Sequence, residues 1–194
     1  LARYARRERQ VRVELEEQLS SGVVTALVEG RADIGIFAEG VDPRGLACHV
    51  FRHDELVLVM PPGHRLAGRG AIAFADALDE DWISLSDGAA LLQRQQESAL
   101  AARRPLRLRM QVRSFDTVCH LVASELGIAV LPRHAAMPLV RSMDLRWRPL
   151  SDPWASRNLV AAVRPGTQDP TTLSLLRFLV EPSQDTKPPK GKKQ

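Results

Sequence analysis

Three short polar turns are the places where this sequence is best equipped to bind something. Ser20-Ser21-Gly22, Ser86-Asp87-Gly88 and Ser114-Phe115-Asp116-Thr117 each follow a stretch that reads as a strand and open one that reads as a helix. A serine there can accept a hydrogen bond from the free N–H groups of the first helical turn. Those same N–H groups, with the helix dipole behind them, favour an anion. In open α/β sheets, ligands collect at such turns, beyond the carboxyl ends of the strands. Capping alone is a sufficient reason for any one of these serines. Three of them at equivalent places, if the halves of the chain face each other, point to a polar ligand cleft.

Other chemistry is poorly supplied. The chain has no G-x-S-x-G elbow and no glycine-rich phosphate loop with a lysine. Asp116 and His120 stand four apart on an expected helix, a spacing that reads first as a surface or capping contact. His49 and His53 share one face of an expected strand, but four residues at ~3.3 Å each hold them too far apart for one metal. His64 and His134 lack partners at ligand spacing, so neither a metal site nor a cofactor is expected. Cys119 falls in the first turn of a helix, where a thiolate and hence a redox switch would be favoured; a packed cysteine is the plainer reading. Cys48 and Cys119 form no disulfide framework and fit a reducing cytoplasm, where such residues behave as small buried hydrophobes. The expectation is a binding module, not an enzyme.

Composition agrees with a soluble globular protein: 194 residues, 44% hydrophobic and 26% charged. No apolar run approaches the ~18 residues of a membrane helix. The net charge of +4 suggests nucleic acid, yet it sits at the ends. Residues 1–9 and 182–194 carry +3 each, which leaves the body at −2. The basic footprint of a nucleic-acid binder is missing from the body. Residues 182–194, rich in Pro and Lys, read as a disordered basic tail.

Slid against itself by 97 residues, the sequence overlays Arg6-Arg7 on Arg103-Arg104, Val11, Val13 and Leu15 on Leu108, Met110 and Val112, and Gly30 on Gly127. Each copy reads as helix, strand, turn, helix, glycine, strand. The strands, 11–17 and 107–112, come from period-two alternation. The glycines stand where a helix end takes a left-handed residue. Two unrelated α/β units of similar length would also look this way; in either case alternating strands and helices argue for parallel sheets. Further strands are expected at 33–37, 46–51, 55–60, 82–85, 128–131, 145–148 and 158–163, with helices over 89–104 and 171–180. Breaks near Pro61 and Asp152 read as crossings between two lobes. The first copy begins inside its opening helix, so a strand and a turn belonging to that lobe are expected upstream.

Three stretches resemble the regulatory domain of LysR-type transcriptional regulators: LVEGRADIGIF (27–37), HDELVLVMPPGHRLA (53–67) followed by WISLS, and SFDTVCHLVASELGIAVLP (114–132). Order and spacing agree over roughly residues 1–181. The resemblance implies an α/β, two-lobed periplasmic-binding-protein-like (type II) fold, each lobe a mainly parallel sheet flanked by helices. Lobe 1 would comprise residues 1–61 and 152–181, and lobe 2 residues 62–151. By position it assigns ligand contacts to Ser20 and Ser21, to Ser84 and Ser86, and to Ser114 and Phe115. It implies a small-molecule effector, a homodimer or tetramer, a cytoplasmic location, and DNA contact only through an N-terminal winged helix-turn-helix that this sequence lacks. Two other classes share the fold: an extracytoplasmic solute-binding receptor, which a signal peptide upstream would favour, and an enzyme, for which the turns lack paired acid–base residues.

Overall fold

The computed structural model describes residues 1–86 and 90–181; the expected Asp87-Gly88 turn and the basic tail 182–194 lie outside them. The helices are α1 (Ala2–Arg7), α2 (Ser20–Val28), α3 (Ala90–Ala101), α4 (Phe115–Ala123), α5 (Arg133–Ser142) and α6 (Pro170–Val180). The strands are β1 (Gly35–Ala38), β2 (Ala47–Met60), β3 (Trp82–Leu85), β4 (Leu108–Val112), β5 (Ala129–Pro132), β6 (Arg146–Pro149) and β7 (Ser156–Val163).

β2 organises the molecule. The sequence reads as two strands, 46–51 and 55–60, but the chain forms one continuous strand with a bulge between Val50 and Arg52. Its first half pairs antiparallel with β7, from Ala47↔Val163 to Glu55↔Ser156. Its second half pairs with β5 on one edge (Leu56↔Pro132) and with β6 on the other (Val57↔Pro149). The exchange of partners lies between Glu55 and Leu56, ahead of the break at Pro61.

The second sheet runs β4-β3-β5-β2-β6. β3 and β4 are parallel, and a parallel bridge from Trp82 to Ile128 joins β3 to the start of β5. Only β2 runs against its neighbours, so this sheet is mainly parallel, as expected. The first sheet departs from that expectation: both described pairings, β1 with β7 and β7 with β2, are antiparallel. The reason is topological. The free edge of β5 carries β3, whereas no described strand lies along the free edge of β1.

The same reason corrects the strand expected at 11–17. Its counterpart β4 has β3 beside it. Residues 11–19 are assigned to no strand or helix, and Leu15 is 79% exposed. Alternating residues make a strand only when a neighbour takes up the backbone hydrogen bonds. Ahead of this segment, α1 docks on α6 through Tyr4, whose ring centroid lies 5.3 Å from that of Phe178.

The apolar run Leu56–Met60 is buried on both faces. Leu56, Leu58 and Met60 join Phe74, Trp82 and Ile128, while Val57 and Val59 join Ile83, Val118, Cys119 and Leu131 beneath α4 and α5. A strand with two covered faces reads as a continuous apolar stretch rather than an alternating one. In the other sheet, Val24 and Leu27 of α2 pack on Phe37, Val160 and Ala162. Asp169 caps α6 by accepting the Thr172 N–H at 2.6 Å, and that bond holds its carboxyl below the usual range. Helix α5 goes unread in the sequence; Pro138 inside it interrupts the helical pattern.

Candidate functional site

The starts of α2, α3, α4 and α5 border one crevice. A cavity of about 650 Å³ opens there between the two sheets. One wall is the approach to α2 (Glu17, Gln18, Leu19, Ser20) with Ile36, Phe37 and Ala38 of β1. The other is Leu85 and Ser86 after β3, Ala90 and Leu91 of α3, Arg113, Ser114 and Phe115 at the start of α4, and Pro132, His134 and Ala135 where β5 enters α5. Arg52 and Asp54 of β2 with Arg157 and Leu159 of β7 form the part that joins the walls.

Four of the six residues expected to contact a ligand, Ser20, Ser86, Ser114 and Phe115, line this cavity. Ser114 is the N-cap of α4: its Oγ accepts the Thr117 N–H at 3.2 Å and lies 2.8 Å from Thr117 Oγ1. Ser20 is not a cap. The N-cap of α2 is Leu19, no side chain caps that helix, and Ser20 Oγ accepts the Ala38 N–H at 3.4 Å instead. The first-turn N–H groups of α2 therefore keep their bonding capacity at the crevice. Ser21 and Ser84 do not line the cavity. Ser21 is exposed in the first turn of α2, and Ser84, 5% exposed, donates from Oγ to Gln95 Oε1 at 2.9 Å.

Sequence reading missed the charged residues. Asp54 is 2% exposed and accepts from both Nε and Nη2 of Arg157 at 3.2 Å, across a paired position of β2 and β7. Charged residues in HVFRHDELV look like the wet face of a strand. The bulge at position 51 reverses the alternation, turns Arg52 and Asp54 toward the cavity, and puts His49 and His53 on opposite faces of the strand rather than on one. Nothing in the sequence alone marks such a bulge.

The cysteines divide. Cys119 is fully buried, and that burial, with Asp116 nearby, pushes its thiol up to about 11. Cys48 is exposed, contrary to the expectation that both are buried: it lies on the half of β2 that pairs with β7 on one side and with no described strand on the other. Asp116 and His120 approach to 3.6 Å on the exposed side of α4, a surface contact. Among the described residues, no group of His, Cys, Asp and Glu is placed to hold a metal ion.

The family model for the LysR substrate binding domain matches residues 1–183. The regulatory domain of CcmR from Synechocystis PCC6803, solved with 2-PG, superposes with a TM-score of 0.86 at 19% identity, over 95% of this chain and 89% of that one. The effector-binding domain of QuiR, solved with shikimate, superposes with a TM-score of 0.80 at 15% identity, over 92% of this chain and 86% of that one. These two likenesses show the shared type II periplasmic-binding-protein-like fold. The HTH-type transcriptional regulator YnfL of Escherichia coli (strain K12) is 24% identical over 144 residues, 73% of this chain. The chain spans 48%, about half, of that relative's length. Matched by the family model over residues 1–183, this chain belongs to the LysR substrate-binding domain family.

Proposed function

We propose that the chain is the sensing part of a cytoplasmic transcriptional regulator, and that a small organic anion binds in the crevice between its lobes to set DNA binding by a helix-turn-helix domain elsewhere in the protein. The observation that carries this is the crevice itself: about 650 Å³, bordered by the N-termini of α2 and α4 and by three arginines. Helix N-termini and guanidinium groups attract carboxylates and phosphates. The ligands named for the CcmR and QuiR domains agree with a small-molecule role for the crevice. The lobes would divide where β2 changes partners, after Glu55 rather than after residue 61, and would close about β2 and β7. The solute-receptor alternative is not favoured, since the relative named above is a transcriptional regulator. No helix among the described residues is long and apolar enough to cross a membrane.

Calorimetry with a panel of small carboxylates and amines on the protein, repeated with Ser20→Ala and Ser114→Ala, tests the reading. Loss of a hydrogen bond to a charged ligand lowers affinity about tenfold or more, from roughly 1.5–3 kcal/mol. A ligand that binds both variants unchanged would show that these serines serve the fold alone and that the contacts lie elsewhere.

A further inference from the structure

The fixed charges of the crevice discriminate among anions. Three arginines line it. Arg157 is neutralised by Asp54, through two hydrogen bonds to one buried carboxylate. Arg52 and Arg113 are different: among the described residues neither forms an ion pair. Arg52 comes from β2, in the part that joins the walls, and Arg113 follows β4 on the wall formed with the other sheet. The acids on the described lining are Asp54, already engaged, and Glu17, exposed on the segment before α2. Two separate positive positions therefore face the crevice, neither of them in an ion pair among the described residues.

The placement of Arg52 is specified by the backbone. Up to Val50, β2 residues 47 and 49 pair with Val163 and Ala161 of β7; beyond the bulge it is Arg52 that pairs with Leu159 and Asp54 with Arg157. Paired residues share a face of the sheet. Without the bulge, Arg52 would share the face of Val160 and Ala162, opposite to that of Leu159 and Arg157, which line the crevice. The bulge residue Phe51 packs with Ala161, Val163 and Leu176, and its ring centroid lies 5.3 Å from the Arg52 guanidinium, a cation–π contact that keeps the side chain on the crevice side. Bulges beside binding sites commonly re-aim one side chain in this manner.

We propose that the crevice selects a small ligand with two separated anionic groups, one held by Arg52 and the other by Arg113. This rests on the crevice being the effector site. A single carboxylate answers one guanidinium and leaves the other to water. A second anionic group adds another charge-assisted pair, from the wall that carries Arg113, so the ligand joins the two sheets. Dicarboxylates and phosphorylated carboxylates share this chemistry.

The test is calorimetry of the protein with unbranched dicarboxylates from malonate to adipate, with 3-phosphoglycerate, and with monocarboxylates of matching length. At least one of the doubly anionic probes is expected to bind about tenfold or more tightly than its singly charged counterpart. Arg52→Gln and Arg113→Gln should each bring that probe down to the level of the monocarboxylate while leaving the unfolding temperature nearly unchanged. Equal affinity for mono- and dianions, or no binding by any doubly anionic probe, overturns the proposal. So does tighter binding of aspartate or glutamate than of succinate or glutarate, lost in Glu17→Gln, because the crevice then suits a zwitterion. A monoanionic or neutral metabolite that stabilises the wild type and both arginine variants alike would remove this inference and leave the effector reading standing.

Discussion

Glu125 occupies in the second lobe the backbone position that Gly30 occupies in the first. Each follows a nine-residue helix, and each has a positive φ, 58° and 75° respectively. Around Gly30, the Gly30 N–H donates to Leu27 and the Arg31 N–H to Ala26, at 3.1 and 2.9 Å. Around Glu125, the Glu125 N–H donates to Val122 and the Leu126 N–H to Leu121, at 3.0 and 3.2 Å. The same helix-ending motif thus closes both helices. The two copies match at this cap with an offset two residues shorter than the gapless overlay, and Gly127 is not the counterpart of Gly30. A Cβ on Gly127 would lie 2.5 Å from the Asp81 carbonyl oxygen, at the point where β5 joins β3.

These three positions predict three different outcomes. Glu125→Gly should raise stability by about 1 kcal/mol, because a side chain in the left-handed region is strained by roughly that amount. Gly30→Ala should lower it by about as much. Gly127→Ala should be the worst of the three, since the Asp81 backbone would have to move. Urea midpoints measure all three. A neutral Glu125→Gly, or a Gly127→Ala no worse than Gly30→Ala, would contradict these roles.

Much of this fold was legible because its signals are local. SFDTVCHLVAS announces a capped amphipathic helix, and LVLVM a strand buried on both faces. What stayed hidden depends on distant partners. The alternation in VRVEL is as good as that in LRLRM, yet only the latter has a strand beside it. The bulge at Phe51 is set by pairing with β7, more than a hundred residues away, and it decides which side of the sheet Arg52 and Asp54 face. Serines at helix starts could be read from the sequence. The charges of the crevice could not, because their direction follows from that register.

The two cysteines should separate cleanly by reactivity. With its thiol pushed up to about 11, Cys119 carries on the order of one thiolate in a thousand at pH 8. It is also fully buried. Iodoacetamide at pH 8 is expected to modify Cys48 alone in the folded protein, and both residues in urea. Raising the pH toward 11 should increase labelling of Cys119 only as far as the fold opens. Rapid labelling of Cys119 under native conditions would restore the redox-switch reading of its position.

Exposed leucines mark the surfaces expected to pair in a homodimer. Leu15 and Leu100 are 79% and 78% exposed, on the segment after α1 and on α3. In a homodimer with a two-fold axis, the segment after α1 of one protomer is expected to face α3 of its partner. Covering one such side chain is worth roughly 1.5–3 kcal/mol, and an isologous contact counts it twice. Leu15→Glu and Leu100→Glu should each weaken self-association at least about tenfold. Sedimentation equilibrium decides this: a wild type monomeric at high concentration, or variants that associate as it does, would exclude these surfaces.

The Asp54–Arg157 pair should show opposite effects on stability and on ligand affinity. Asp54 is almost wholly buried, and Arg157 is mostly so. Removing one partner of such a pair leaves a charge without an answer, at a loss of about 3 kcal/mol. Asp54→Leu and Arg157→Met should each lower the urea midpoint by that measure. Asp54→Leu combined with Arg157→Met should recover most of it, because apolar side chains of similar volume replace a buried pair at little net change. A double-mutant cycle isolates the coupling. The pair also borders the crevice, one position before β2 leaves β7 for β5 and β6. Asp54→Asn releases the positive charge of Arg157 toward whatever binds there, so anions should bind this less stable variant more tightly than the wild type. A variant that loses stability and anion affinity together would mean that Asp54 shapes the crevice only through the fold; a gain in affinity at lower stability would mean that the pair holds a third arginine out of the ligand's reach.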